Sequence, residues 1–273
     1  MSKTQDFVRF CVAASEGTTN RVRLKEDRFL SSKIPVPHLS EQQRIVAKIE
    51  ELAEKIKEAS SVKKSIAGEL NQLLLSVFNN LVSGGEFQPM SEVAPITRRP
   101  VKVNVNSEYP ELGIRSFGKG GFHKPFLSSL EVGTKKLYRI EPGDLVFNNV
   151  FAWEGAVAVA KQEDGGRVGS HRFITCVPKR GVATPNFLCF YFLTKEGLAK
   201  LGEASPGGAG RNRTLGLEAL TKITVPLPPI ERQLWFDKLQ IMTNSLKSVQ
   251  TETQKELDAL MPSILDKAFK GEL

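Results

Sequence analysis

The sequence predicts an α+β protein in which one compact mixed domain lies between two long helices. Three observations support this fold class: a seven-residue apolar repeat within residues 39–87, a second helical stretch over residues 230–273, and short strand-and-turn patterns between them. A seven-residue period kept over many turns is typical of coiled-coil helices. The two helices are therefore expected to pair, either within one chain or between two chains.

The first helix carries the clearest pattern. Its apolar positions recur in steps of four and three residues, and only Lys63 interrupts them. The residues expected to pack against a partner helix are Ile45, Ile49, Leu52, Ile56, Ile66, Leu70, Leu73 and Val77. At 1.5 Å per residue, such a helix is a rod of roughly 60 Å.

The second helix has a less regular pattern. Its packing positions are Leu239, Leu246, Val249, Leu257, Leu260 and Ile264, and their phase shifts by one position after Thr253. A shift of this kind indicates a local change in winding. Pro262 is expected to kink the last turns, because proline removes a helical hydrogen bond.

The two flanking segments also repeat one order of features. Residues 35–43 and residues 226–233 each run from a proline-punctuated strand pattern into Glu-x-Gln and a long helix, which matches Gln43 with Gln233. Each follows a basic loop, with Arg21 and Arg23 in the first and residues 211–213 in the second. The repetition indicates two equivalent arms around one domain.

The central segment, residues 88–229, reads as short strands and turns. A Pro-Gly turn precedes a strand at Leu145–Asn148, and residues 156–160 and 173–177 are predicted to form a hairpin. A buried helix is expected from Pro185 to about residue 201, with the proline in its first turn.

The net charge is +8, and its positive excess lies on residues 88–229 and on the first basic loop. This placement fits a surface that faces a polyanion, although an ordinary solvated basic surface would have the same charge. No apolar run is long enough to span a membrane and no secretion leader is visible, which predicts a soluble, cytoplasmic protein. Cys11, Cys176 and Cys189 are expected to be free thiols.

Two sets of residues are predicted to contact a nucleic acid. Cationic and polar side chains beside glycines and turns suit contacts to bases or phosphates: Arg115, Ser116, Lys119, Lys124, Asn148, Asn149, His171 and Arg172. Others suit a grip on backbone phosphates: Arg98, Arg99, Arg211 and Arg213, with Asn212 in the same glycine-rich loop. Asn148 and Asn149 are also ordinary residues for a turn after a strand.

The motifs that would indicate an enzyme are missing. Residues 113–120 approach a phosphate-binding loop, but Gly120 stands where a Ser or Thr would bind Mg²⁺. His38, His123 and His171 lack a second ligand at metal-binding spacing, so neither a metal nor a cofactor is expected.

These elements together resemble the specificity (S) subunit of bacterial type I restriction-modification enzymes. The resemblance is carried by Pro35–Gln43, Pro226–Gln233, the helix end Ser263–Leu273, the Gly143–Val146 turn and the glycine-rich loop before Arg211. In that family, two target recognition domains each read half of a bipartite double-stranded DNA site. Two conserved helices space these domains and dock the modification (methyltransferase) subunits, and a separate restriction subunit cuts DNA. The resemblance thus implies a subunit without chemistry of its own.

This sequence departs from the family in size. Residues 1–38 resemble only the last loop and strand of a first recognition domain, residues 39–87 and 230–273 the two conserved helices, and residues 88–229 one recognition domain. This describes a half-sized subunit, natural or truncated. We hypothesise that two copies form a homodimer that reads an interrupted palindrome.

Two other classes of function stay open on the sequence. One is an enzyme that modifies or cleaves DNA unaided, which would need a carboxylate-metal cluster or a cofactor loop. The other is a helical interaction scaffold whose basic domain reads no bases.

Overall fold

The computed structural model describes residues 5–17, 22–31, 33, 36–207 and 213–273. The chain divides into two compact units, which we name the helical unit (Met1–Gln72 with Thr243–Leu273) and the mixed unit (Leu73–Met242). The division falls inside the long helices, whereas the sequence places domain boundaries at their ends.

The described residues contain nine α-helices and twelve β-strands. The helices are α1 (Gln5–Ala13), α2 (Glu26–Leu30), α3 (Leu39–Val82), α4 (Met90–Val93), α5 (Ser129–Val132), α6 (Pro185–Leu193), α7 (Lys195–Glu203), α8 (Leu217–Lys222) and α9 (Ile230–Lys270). The strands are β1 (Ser15–Glu16), β2 (Arg23–Leu24), β3 (Phe87–Pro89), β4 (Pro100–Val101), β5 (Glu108–Ile114), β6 (Gly121–Ser128), β7 (Leu137–Arg139), β8 (Leu145–Asn148), β9 (Val157–Val159), β10 (Val168–Ser170), β11 (Phe173–Cys176) and β12 (Thr224–Pro226). The α+β class and the two long helices are confirmed, and α9 continues through Pro262.

In the helical unit, α3 and α9 pair within one chain. Lys247 Nζ donates to Asn71 Oδ1 at 2.6 Å, and Arg44 Nη2 donates to the carbonyl oxygen of Leu273 at 2.6 Å. Lys63 Nζ donates to Thr253 Oγ1 between these two contacts. Because residue numbers rise along α3 as they fall along α9, the helices run antiparallel.

The packing positions differ from the strict heptad pattern. Ile66 and Leu73 of α3 are 39% and 49% exposed, whereas Leu74 and Phe78 are buried. On α9, Leu246, Val249 and Leu260 are 55%, 59% and 45% exposed. Lys63 and Thr253, where the two sequence patterns break, hydrogen-bond to each other. The apolar face therefore shifts along α3 after this polar pair.

The mixed unit is built from three sheets. The largest has the order β4-β7-β10-β5-β6, the second has β11-β8-β9, and β3 pairs with β12. Strands β9 and β11 both pair with β8, so the predicted hairpin between them is wrong. The predicted single helix after Pro185 is also divided, because Thr194 ends α6 and its hydroxyl caps α7 by accepting from Gly197 N–H.

Aromatic side chains from both long helices enter the core of the mixed unit. Phe78 of α3 and Phe236 of α9 have ring centroids 5.5 Å apart, and Phe78 lies 5.1 Å from Phe187 of α6. All three are almost fully buried. Burying an aromatic side chain stabilises a fold by about 1.5–3 kcal/mol, so this cluster anchors these ends of the helices.

A Gln in each of the two repeated segments stabilises the start of the long helix that follows. Gln233 Nε2 donates to the carbonyl oxygen of Pro228 at 2.8 Å, five residues earlier. Gln42 makes the same bond to Pro37 at 2.7 Å. The structure thus matches Gln42, rather than Gln43, with Gln233. In the second arm, the Gln233 side chain also accepts from Thr184 N–H, which binds α9 to the start of α6.

Candidate nucleic-acid interface

A cleft of about 530 Å³ in the mixed unit collects four of the predicted contact residues. They are Lys124, Asn148, His171 and Arg172, and Lys135 adds a third cation to the lining. Ser170 and the aromatic rings of Phe122 and Phe151 complete the part relevant to recognition. Cations, hydrogen-bonding groups and flat apolar surfaces are the chemistry that binds a phosphodiester chain and its bases.

Strand ends position these side chains. Asn148 is the last residue of β8, and His171 with Arg172 forms the short link from β10 to β11. Asn149 N–H donates to the carbonyl oxygen of Arg172 at 2.8 Å, which ties the end of β8 to that link. Polar side chains are therefore held at fixed strand termini, as base readout requires.

Strand β6 supplies a second wall. Phe122 and Lys124 are two residues apart, so they lie on the same face of the strand. Lys124 Nζ lies 3.1 Å from a carboxylate oxygen of Glu111, which partly neutralises its charge. His171 and Arg172 are exposed to solvent. Arg172 of the β10–β11 link and Lys135 therefore carry cleft charge that no described ion pair neutralises.

Residues 115–120 form the loop between β5 and β6. The loop closes through a hydrogen bond from Arg115 N–H to the carbonyl oxygen of Gly120 at 3.0 Å. The guanidinium of Arg115 stacks 4.3 Å from the centre of the Phe122 ring, and Lys119 is exposed. Ser116 Oγ lies 3.1 Å from a carboxylate oxygen of Glu154. This hairpin has no following helix, so it lacks the geometry of a nucleotide-binding phosphate loop.

The other predicted residues lie away from the cleft lining. Arg99 makes a bidentate ion pair with the buried carboxylate of Asp144, at 2.6 and 3.1 Å, and this contact raises the pKa of Arg99. The guanidinium carbon of Arg98 lies 4.7 Å from the Tyr138 ring centre, and that of Arg213 lies 5.5 Å from Trp153. Arg21, Arg211 and Asn212 lie outside the described residues.

Sequence reasoning missed Lys135, Glu111 and the aromatic lining of the cleft. The alternation of Phe122 and Lys124 in β6 is a signal that would have paired them on one face. Lys135 lies in the turn after α5, where no periodic pattern connects it to the cleft. One buried polar atom, Asn149 Oδ1, lacks a hydrogen-bond partner among the described residues.

The described residues include cysteine thiols and side chains of the types that can ligate metals. Within them, no group of three His, Cys, Asp or Glu side chains is placed to hold a metal ion. Burial raises the pKa of both Cys176 and Cys189 to about 12, which keeps these thiols protonated and poorly nucleophilic. Neither α3, α9 nor any other described helix has the length and apolar character needed to cross a bilayer.

Comparison with known proteins gives matches among solved structures. No protein-family model matches the sequence, and neither does any curated protein. The HsdS subunit from Thermoanaerobacter tengcongensis matches over 99% of this chain and 68% of its own, with 22% identity and a TM-score of 0.61. A chain from a structure of complex assembly and conformational transition in the type I R-M system matches over 98% of this chain and 69% of its own, with 22% identity and a TM-score of 0.65. The chain therefore has the fold of type I restriction-modification specificity subunits.

Proposed function

We propose that this chain is a non-catalytic DNA-recognition subunit of a type I restriction-modification complex, in which the mixed unit reads one half of a bipartite site. The observation that carries this proposal is the cationic cleft on a specificity-subunit fold, with Asn148, His171 and Arg172 held at strand ends. Phosphate contacts supply affinity and base contacts supply sequence preference.

The test is a binding titration of the full chain against double-stranded DNA over a range of salt concentrations. Affinity should fall steeply as salt rises, because bound cations release counterions from DNA. The slope of log affinity against log salt concentration is negative. Replacing Lys135 and Arg172 together by Ala should reduce the magnitude of this slope by about 2. Arg180→Ala is the matched control, since Arg180 is exposed but is not part of the described cleft lining. Binding that ignores salt would refute the proposal.

We further propose that the paired helices dock the modification subunits, through which the restriction subunit associates indirectly. Support comes from the helical unit, where α9 exposes Leu246, Val249 and Leu260 although its polar residues Lys247 and Thr253 bond to α3. Contiguous exposed apolar patches are typical of protein-interaction sites, and Leu246 and Val249 lie three residues apart, on neighbouring positions of the helix surface.

A homodimer is a separate proposal. Because α3 pairs with α9 inside one chain, the two long helices do not need a second copy of the chain as their packing partner. Analytical ultracentrifugation at micromolar concentration, with and without the modification subunit, measures the stoichiometry directly. A single copy of this chain in both samples would contradict a dimer.

A further inference from the structure

Phe117 is an exposed aromatic residue in an unfavourable backbone conformation. Its side chain is 74% exposed and its φ is +63°. A positive φ is rare for residues with bulky side chains, and glycine adopts it without strain. An exposed ring and a strained backbone both make Phe an unfavourable residue at position 117. Packing within the mixed unit therefore does not account for the choice of Phe there.

The surrounding backbone fixes this conformation. Phe117 N–H donates to the carbonyl oxygen of Glu154 at 2.8 Å, and Gly118 N–H donates to that of Gly155 at 3.0 Å. A Cβ on Gly118 would lie 2.9 Å from a methyl group of Leu193, so the loop sits closely against α6. The loop is thus held in place while the Phe117 ring points outward, which lowers the entropy cost of binding through that ring.

The loop lies beside the cleft and carries positive charge. Ile114, which precedes the loop, and Phe122, two residues after it, line the cleft. Phe151, which precedes the turn that holds Phe117, lines it as well. Lys119 Nζ lies 5.9 Å from the Phe117 ring centre. An aromatic ring beside a cation is an arrangement that can stack on a base while the cation contacts a phosphate.

We propose that Phe117 acts as a wedge that enters bound DNA and stacks on a base at a step that it partly unstacks. This inference rests on the proposed function, because it requires that the mixed unit bind DNA at the cleft. In this role the Phe117 ring would favour DNA sequences that are easily unstacked, whereas the cleft residues would contact bases and phosphates directly.

The test uses a duplex selected from a randomised library by binding to the full chain, with 2-aminopurine placed at successive positions. Wild type should raise the fluorescence at one step, where the base becomes unstacked. Phe117→Ala should lose that signal and weaken binding to the selected duplex by roughly tenfold to hundredfold, the range of base–aromatic stacking. Phe117→Tyr, which keeps the ring, should retain both properties.

Phe126→Ala is the matched control, because Phe126 is 57% exposed on β6 of the same unit. It should behave as wild type. If wild type binds in a salt-dependent manner and Phe117→Ala has the same affinity and fluorescence, the wedge is refuted while the proposed function stands. If wild type shows no salt-dependent binding to any duplex, the proposed function fails first. Loss of modification-subunit binding in Phe117→Ala, with DNA binding intact, would identify the ring as a protein contact and overturn the wedge.

Discussion

Arg99 illustrates how one residue with a cationic side chain can serve the fold instead of a ligand. Its guanidinium pairs with Asp144, whose side chain is 3% exposed and also accepts from Glu141 N–H at 2.8 Å. This carboxylate lies in the Pro-Gly turn before β8, the strand that ends at Asn148. Arg99 therefore positions the cleft indirectly, by fixing the turn from which β8 starts.

Arg99→Ala should lower the free energy of unfolding by about 2 kcal/mol, because it leaves a buried carboxylate without its cation. Urea denaturation measures the change. Arg98→Ala serves as a control, since the Arg98 guanidinium stacks against Tyr138 rather than on a buried carboxylate, and its loss should cost about 0.5 kcal/mol. Equal, small effects of the two substitutions would show that the Asp144 pair does not support the turn.

Residue chemistry was only partly predictable from the sequence. Lys124, Asn148, His171 and Arg172 were identified because polar residues beside turns indicate contacts, and they share one cleft. Arg99 carried the same sequence signal, but its ion pair spans 45 residues, a separation that no local pattern encodes.

At the scale of elements, the heptad pattern predicted both long helices but not the phase of their packing. The pattern breaks at Lys63 in α3 and at Thr253 in α9, and these residues bond to each other across the antiparallel pair. Polar residues inside a helical seam fix register at a cost in stability. The sequence displays each break separately, whereas their pairing depends on the direction in which the helices align.

Replacing Lys63 by Leu together with Thr253 by Val should therefore raise the stability of the helical unit by roughly 1 kcal/mol, since apolar residues replace a partly buried polar pair. Thermal unfolding followed by circular dichroism provides the measurement. Lys64→Leu is the control, because the neighbouring Lys64 is exposed and its replacement should leave the transition unchanged. A lower melting temperature in the double variant would mean that the polar pair stabilises the helices rather than setting their register.

Asp237 of α9 gives the mixed unit a pH dependence. Burial raises the pKa of its carboxyl from 3.8 to about 6, and hydrogen bonds with Thr184 and Asn186 oppose part of that rise. Between about pH 4 and pH 6 the unfolded chain releases this proton while the folded chain retains it. Stability linked to Asp237 is therefore present at low pH and is lost as the pH rises through this window.

Relative to Asp237→Asn, wild type should lose up to about 3 kcal/mol of unfolding free energy between pH 4 and pH 7, because each pH unit of pKa separation corresponds to about 1.4 kcal/mol. Urea denaturation at both pH values measures this difference. Asp258→Asn, at an exposed position of α9, should keep the wild-type pH profile. Parallel profiles for wild type and Asp237→Asn would contradict the assignment.

At the scale of the whole molecule, the internal repeat predicts one domain between two arms, whereas the chain divides into the helical unit and the mixed unit at points inside the long helices. The sequence could not show whether the helices pair inside one chain, because a heptad pattern fits either alternative. It also could not place the apolar stripe of α9, since Leu246 and Val249 fit a seam toward α3 as well as a surface for another protein.

Leu246→Asp combined with Val249→Asp should abolish co-purification with the modification subunit while leaving the helical content unchanged. Both side chains are more than half exposed, so the substitutions should cost the isolated chain little stability. Leu130→Asp is the matched control, because Leu130 is 91% exposed in the mixed unit. Wild-type assembly by the double variant would place the docking surface elsewhere.

The most direct measurement is a methylation map of genomic DNA from a host that expresses this chain with the modification subunit of its own genome. We expect methylation at one defined sequence, and this methylation should require the chain. It should be lost with the Lys135→Ala and Arg172→Ala double variant and should persist with Arg180→Ala. A map that is unchanged when this chain is omitted would contradict its role as the subunit that selects the DNA site.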